Sequence, residues 1–179
     1  MSPVRPVLLL LLAFLSRPAD AAIVEALSAD ALLDRSRVVC LFEVTMTRAR
    51  WAGDRVLTDV VGRCERPVFG AAAGETVEWY VEGGVMEDAD VGMRVPGEPS
   101  FRRGDRAIVF LSDAAFGLRV TGMSQGAVFV RGETALPLGG GATFAVRTGR
   151  GLRSTAGWHA SPRPVGEVLG DLERRLRAR

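Results

Sequence analysis

Val38-Val39-Cys40-Leu41-Phe42-Glu43-Val44-Thr45-Met46-Thr47-Arg48 and, after a short interruption, Val56-Leu57-Thr58-Asp59-Val60-Val61-Gly62-Arg63-Cys64-Glu65-Arg66 are the segments on which the fold turns. Both are rich in β-branched residues, and Arg50-Trp51-Ala52-Gly53-Asp54 between them has turn composition. A turn centred on Ala52 pairs Val56 with Arg48, Thr58 with Met46, Val60 with Val44, Gly62 with Phe42 and Cys64 with Cys40. The two-residue period of a strand then puts Val38, Cys40, Phe42, Val44 and Met46 on one face, beside Thr58, Val60 and Cys64. The other face receives Glu43, Thr45, Thr47, Asp59, Arg63 and Glu65. A slip of one residue mixes the two sets, so the pattern selects the register.

That register sets the chain's 2 cysteines opposite one another. Opposed residues of an antiparallel pair have Cα atoms about 4.5–5.5 Å apart, within disulfide reach. A Cys40–Cys64 bridge is therefore expected in an oxidising compartment, with two buried free thiols as the alternative. Their spacing does not form a CxxC redox motif.

Working outward, Ser28 to Arg35 reads as a short helix with Ser28 as its N-cap. Thr76 to Glu82 is a third strand, ended by Gly83-Gly84. Val85 to Arg106 reads as a long irregular connection, and Ala107 to Leu111 as a central strand. Leu118 to Met123 and Ala127 to Arg131 are further strands, and Gly139-Gly140-Gly141 marks a junction before another at Thr143 to Arg147. Pro164 to Ala178 closes the chain as an amphipathic helix with Val165, Val168, Leu169, Leu172 and Leu176 on one side. The expected fold is mainly β: a five- to six-stranded antiparallel OB-like Greek-key barrel with a short N-terminal and a C-terminal helix. A plain β-sandwich is the alternative. The expected division is residues 1–21 as signal peptide, 22–136 as barrel domain and 137–179 as a C-terminal extension.

Met1 to Ala22 reads as a secretory address. Arg5 supplies a positive start, Val7 to Leu15 an apolar run, and Ala19-Asp20-Ala21 a small-x-small cleavage pattern. The run is about half of the roughly 20 residues that cross a bilayer, so no stable membrane anchor is expected. The exported chain is placed in the periplasm or outside the cell. All 23 basic residues are arginine, against 21 acidic ones, a net charge of +2. So balanced a chain, once exported, is not expected to bind nucleic acid.

Three stretches together carry a resemblance: Trp51-x-x-x-Arg55-Val56-Leu57-Thr58-x-Val60, Val95-Pro96-Gly97-x-Pro99-x-Phe101-x-x-Gly104-Asp105, and Gly122-x-Ser124-Gln125-Gly126-x-x-x-Val130. Across about residues 27 to 131 the chain resembles exported β-barrel proteins, of unassigned activity, from GC-rich, myxobacteria-like bacteria. In strand order it is also similar to the netrin-like OB barrel of the tissue inhibitors of metalloproteases. Those inhibitors chelate zinc through an N-terminal cysteine. The expected mature terminus here, Ala22 or Ile23, is not cysteine, so that mechanism is not implied.

Chemical motifs are few. Gly122-Met123-Ser124-Gln125-Gly126 matches the nucleophile elbow G-x-S-x-G, and Glu133 and His159 follow in the order acid then histidine. A β-rich run follows the motif where an elbow has a helix, so two glycines around a turn or bulge is the simpler reading. His159 is the only histidine, too few ligands for zinc. Glu87-Asp88-x-Asp90-x-Gly92 lacks the distal ligands of a calcium loop and reads as a solvated acidic loop. No cofactor and no metal are expected.

The strongest candidate site is the turn carrying Trp51, with Arg48, Arg50 and Arg55 around it. Phe116, in the Ser112–Gly117 turn, is expected to face it across a groove. Such an aromatic and guanidinium cluster stacks on sugars or anchors a protein contact; the competing reading folds Trp51 over the barrel end. The expected function is a non-enzymatic module for a protein or glycan partner outside the cytoplasm. A small serine hydrolase using Ser124 and His159, or a protease inhibitor acting by surface contact, are the alternatives.

Overall fold

The computed structural model describes residues 22–139, 142–149 and 151–179. The expected signal segment, 1–21, lies outside them, as do Gly140 and Gly141 of the glycine junction. In chain order the elements are β1 (Ala22–Glu25), α1 (Ala29–Arg35), β2 (Val38–Ala52), β3 (Arg55–Phe69), β4 (Thr76–Glu82), β5 (Gly84–Met86) and β6 (Val91–Met93). They continue with β7 (Arg106–Ala114), β8 (Gly117–Val120), β9 (Ala127–Arg131), β10 (Thr134–Ala135), β11 (Ala142–Thr148), β12 (Gly151–Thr155), β13 (Arg163–Pro164) and α2 (Val165–Arg177). The protein is mainly β, with more strands than the five or six expected. The excess comes from short pieces: a hairpin, β5–β6, inside the supposedly irregular connection, the two-residue strands β10 and β13, and β1 and β12, which join the expected β11 in a separate sheet.

The main sheet curls on itself. Its order is β13-β10-β9-β7-β2-β3-β4-β8, and β8 pairs back onto β7. The ring β2-β3-β4-β8-β7 is therefore closed, with every contact antiparallel except β4–β8. β8 and β9 occupy the same edge of β7 in succession, with a 3-10 turn at Met123–Gly126 between these two expected strands. Gln125 fills that break. Its amide accepts from the Leu27 backbone N–H at 2.7 Å and donates to the Glu25 carbonyl at 2.8 Å, holding the N-terminal segment on the ring.

The β2–β3 hairpin is longer than its sequence reading. Ala52 pairs with Arg55, so the turn is the two residues Gly53-Asp54, with Gly53 at φ 67°, the left-handed region that tight hairpins demand. The register differs accordingly: Thr47, not Val44, faces Val60. Three irregularities then correct the phase toward the base. At the first, between Val44 and Met46, Thr45 is an extra residue whose hydroxyl donates to the Val61 carbonyl. Val38, Cys40, Phe42 and Val44 consequently face the ring interior as expected, while Met46 is turned out and exposed. The cysteines are offset, not opposite: Cys40 pairs with Pro67, and Cys64 with Phe42. They remain on one face with Cα atoms 5.9 Å apart, and the disulfide is formed.

Two cores share this sheet. Inside the ring, Trp79 lies 5.1 Å from Phe42 and 5.6 Å from Phe101, ring to ring. Gly62 makes room for it; a Cβ there would stand 2.6 Å from the indole. Outside, Leu32 and Leu33 of α1 and Val165, Val168, Leu169 and Leu172 of α2 cover Val39 and Leu41 of β2 and Ile108 and Phe110 of β7. Ala107–Leu111 reads as one apolar run because both of its faces are buried. α1 is capped as its sequence indicates, the Ser28 hydroxyl accepting from the Ala31 N–H.

Candidate functional site

The hairpin β2–β3 carries four of the five expected site residues, and the pleat divides them. Trp51 pairs with Val56, on the face of buried Val56 and half-buried Thr58, yet the indole keeps 48% of its surface in solvent. Arg48, Arg50 and Arg55 occupy the alternate positions, with Asp59. The structure thus brings the arginines together but does not stack Trp51 among them, and Trp51 makes no ring contact among the described residues. Reading Trp51 as part of the turn, where the structure continues β2 to Ala52, is enough to produce that false cluster.

The aromatic residues on the arginine face are Tyr80 and Phe116, the fifth expected site residue. Asp59 pairs with Tyr80 across β3–β4, and Tyr80 with Arg119 across β4–β8. Phe116, at the β7–β8 turn, sets its ring edge-on to Tyr80 at 5.9 Å while 55% of it stays exposed. The polar groups around them are fixed by one another. Arg50 Nε donates to Asp59 at 2.6 Å, which raises the guanidinium pKa. Arg119 lies 2.8 Å from Glu98 and 3.6 Å from Glu82, and Arg55 lies 3.8 Å from Glu82. The Glu98 side chain is 4% exposed. Burial pushes its pKa up, opposed by the Arg119 charge and reinforced by Glu82. Arg48 stands exposed.

This outer wall therefore offers an exposed ring beside acceptors and donors already held in place, a surface suited to recognition. The sequence reading missed Tyr80, Glu82, Glu98 and Arg119. Their one-dimensional signal is poor, because four elements far apart in the chain supply a single patch.

The elbow-like motif sits in the 3-10 turn, not at a strand-to-helix junction. Ser124 is 3% exposed; its N–H donates to the Gly97 carbonyl, and its buried Oγ has no hydrogen-bond partner among the described residues. His159 is 2% exposed, with Nε2 3.4 Å from the Ala135 carbonyl and its ring 5.5 Å from that of Trp158. Burial lowers the imidazole pKa. Ser124 and His159 make no hydrogen bond to one another among the described residues. Asp88 and Asp90 are exposed, and no cluster of three metal-ligating side chains occurs among the described residues.

A cleft of about 450 Å³ opens elsewhere, between α2, the segment before α1 and the β11–β12 hairpin. Leu27, Trp158 and Leu172 line it together with Arg163, Asp171 and Arg175. Those charges are already paired, Arg163 with Asp171 at 3.1 Å and Arg175 with Asp30 at 2.7 Å. None of its lining residues belongs to the hairpin tip.

Compared with protein-family models, curated proteins and solved structures, the chain matches none.

Proposed function

We propose that this chain is an exported, non-enzymatic binding module built on an OB-type Greek-key barrel, engaging a protein or glycan at the β2–β3 tip and adjoining wall. The barrel reading is supported by the ring order and its single parallel contact, β4–β8, with a meander of three strands preceding the closing pair. Export is supported by the leader pattern of the first residues and by the Cys40–Cys64 disulfide, which belongs in an oxidising compartment.

One observation carries the binding reading: Trp51, near the end of strand β2 beside the hairpin turn, and Phe116, in the β7–β8 turn, stay about half exposed where burial is the usual fate of such rings. Large aromatic side chains are among the residues that dominate recognition energies, and Phe116 stands on the wall where Arg50 and Arg119 are held by ion pairs. A catalytic reading finds less support, since Ser124 is buried. The test is Trp51→Ala and Phe116→Ala, assayed by pull-down from extracellular fractions and on a glycan array. A genuine site loses about tenfold or more in binding on removal of one anchor. Unchanged signals for both variants would sink it.

A further inference from the structure

The β11–β12 hairpin is a second surface with chemistry of its own. β12 pairs with β11 on one side, and no strand lies on its other edge among the described residues. Gly151, Leu152, Arg153 and Ser154 are all exposed, Leu152 to 60%. A free edge of this kind presents unpaired backbone N–H and C=O groups, a template for another strand.

Its charge is one-sided. From Thr134 to Gly166 the sequence contains no Asp or Glu. Arg147 and Arg153 are exposed and have no acidic partner among the described residues, whereas most arginines of the outer wall and of α2 are paired. Register fixes how they are displayed. Arg147 pairs with Leu152 and Val146 with Arg153, so each face of the hairpin carries one arginine next to one exposed aliphatic side chain.

We infer that the open edge of β12 takes up an extended acidic peptide segment as a fourth strand of this sheet. An incoming strand alternates its side chains between the two faces. An apolar residue set against Leu152 and a carboxylate set against Arg153 satisfy both at once. A flat anionic surface meets one face alone, that of Arg153 or that of Leu152, and leaves the backbone groups of the edge unpaired. A second copy of the chain, paired edge to edge about Arg153, would set guanidinium against guanidinium, with no carboxylate nearby to offset them.

The probe is a fluorescent, soluble peptide with Glu at alternate positions between Val and Thr, compared with the same peptide carrying Lys for Glu. Fluorescence anisotropy on the intact protein reads affinity, and amide hydrogen exchange reads the place. The Glu peptide binds and slows exchange at Gly151–Thr155, the Lys peptide does not, and Arg153→Glu weakens the Glu peptide by about tenfold. Arg153→Glu also reverses the preference, so that the Lys peptide becomes the ligand. Because Arg153 is exposed on an edge, this variant keeps the fold, as circular dichroism verifies. Trp51→Ala leaves the peptide affinity unchanged, which separates this surface from the hairpin tip. Equal binding of both peptides, protection elsewhere, binding of phosphatidylglycerol vesicles instead of peptide, or an Arg153-dependent dimer in sedimentation would each overturn the inference.

Discussion

At the scale of the residue, His159 shows how a motif position becomes a structural one. Desolvation holds its imidazole pKa below the ordinary value of 6.5, favouring the neutral ring in the fold. Unfolded, the same ring takes up a proton near that value. Between the lowered folded pKa and 6.5 the unfolded chain therefore binds more protons, and stability falls as pH falls. Urea midpoints are expected to be lower at pH 5.5 than at pH 7.5, as a condition of the assay, and His159→Gln is expected to flatten that difference. Equal pH slopes in both proteins would refute it. The sequence showed that this histidine is alone. It gave no sign that the ring is buried against the Ala135 carbonyl, because that neighbour comes from β10, 24 residues earlier in the chain.

At the scale of the element, the hairpin β2–β3 was legible in kind and misread in detail. The alternation of Val38, Cys40, Phe42 and Val44 does mark an inward face, and the disulfide follows from it. The exact partners do not follow, because the Thr45 bulge and two further irregularities are invisible to a strict two-residue period. Moving the turn from Ala52 to Gly53-Asp54 was enough to place Trp51 on the face opposite the arginines. The bridge itself closes a loop of 24 residues' separation, which on the chain-entropy model stabilises the fold by about 3 kcal/mol. Replacing both cysteines by alanine should lower the denaturant midpoint by a corresponding amount, measured under non-reducing conditions. A midpoint that moved only on adding reductant, and not on substitution, would contradict this.

At the scale of the whole molecule, the boundary expected at residue 136 does not coincide with a break in packing. α2 buries Val165, Val168, Leu169 and Leu172 in the core that β2 and β7 also line, so the C-terminal extension and the ring share apolar contacts. Leu169→Ala should cost about 2–5 kcal/mol. That loss should appear in one transition, with far-ultraviolet dichroism and tryptophan fluorescence coinciding. Two separated transitions would mean that the extension folds apart from the ring. The amphipathic stripe of α2 was readable from its spacing, but a stripe does not name what it covers. The outer wall was unreadable for the same reason at larger range: Asp59, Tyr80, Glu98 and Arg119 meet only once the ring has closed.

Closure of that ring also orders events in time. Val39 lies against Phe110, and no nearer segment supplies the missing neighbour of β2. A chain delivered from its amino end can therefore assemble the β2-β3-β4 meander early, but must hold it with one flank bare until β7 arrives. Contacts so remote in sequence form slowly, and a bare flank invites pairing with the wrong chain. The vulnerable interval of this protein falls between the emergence of Glu82 and that of Leu111.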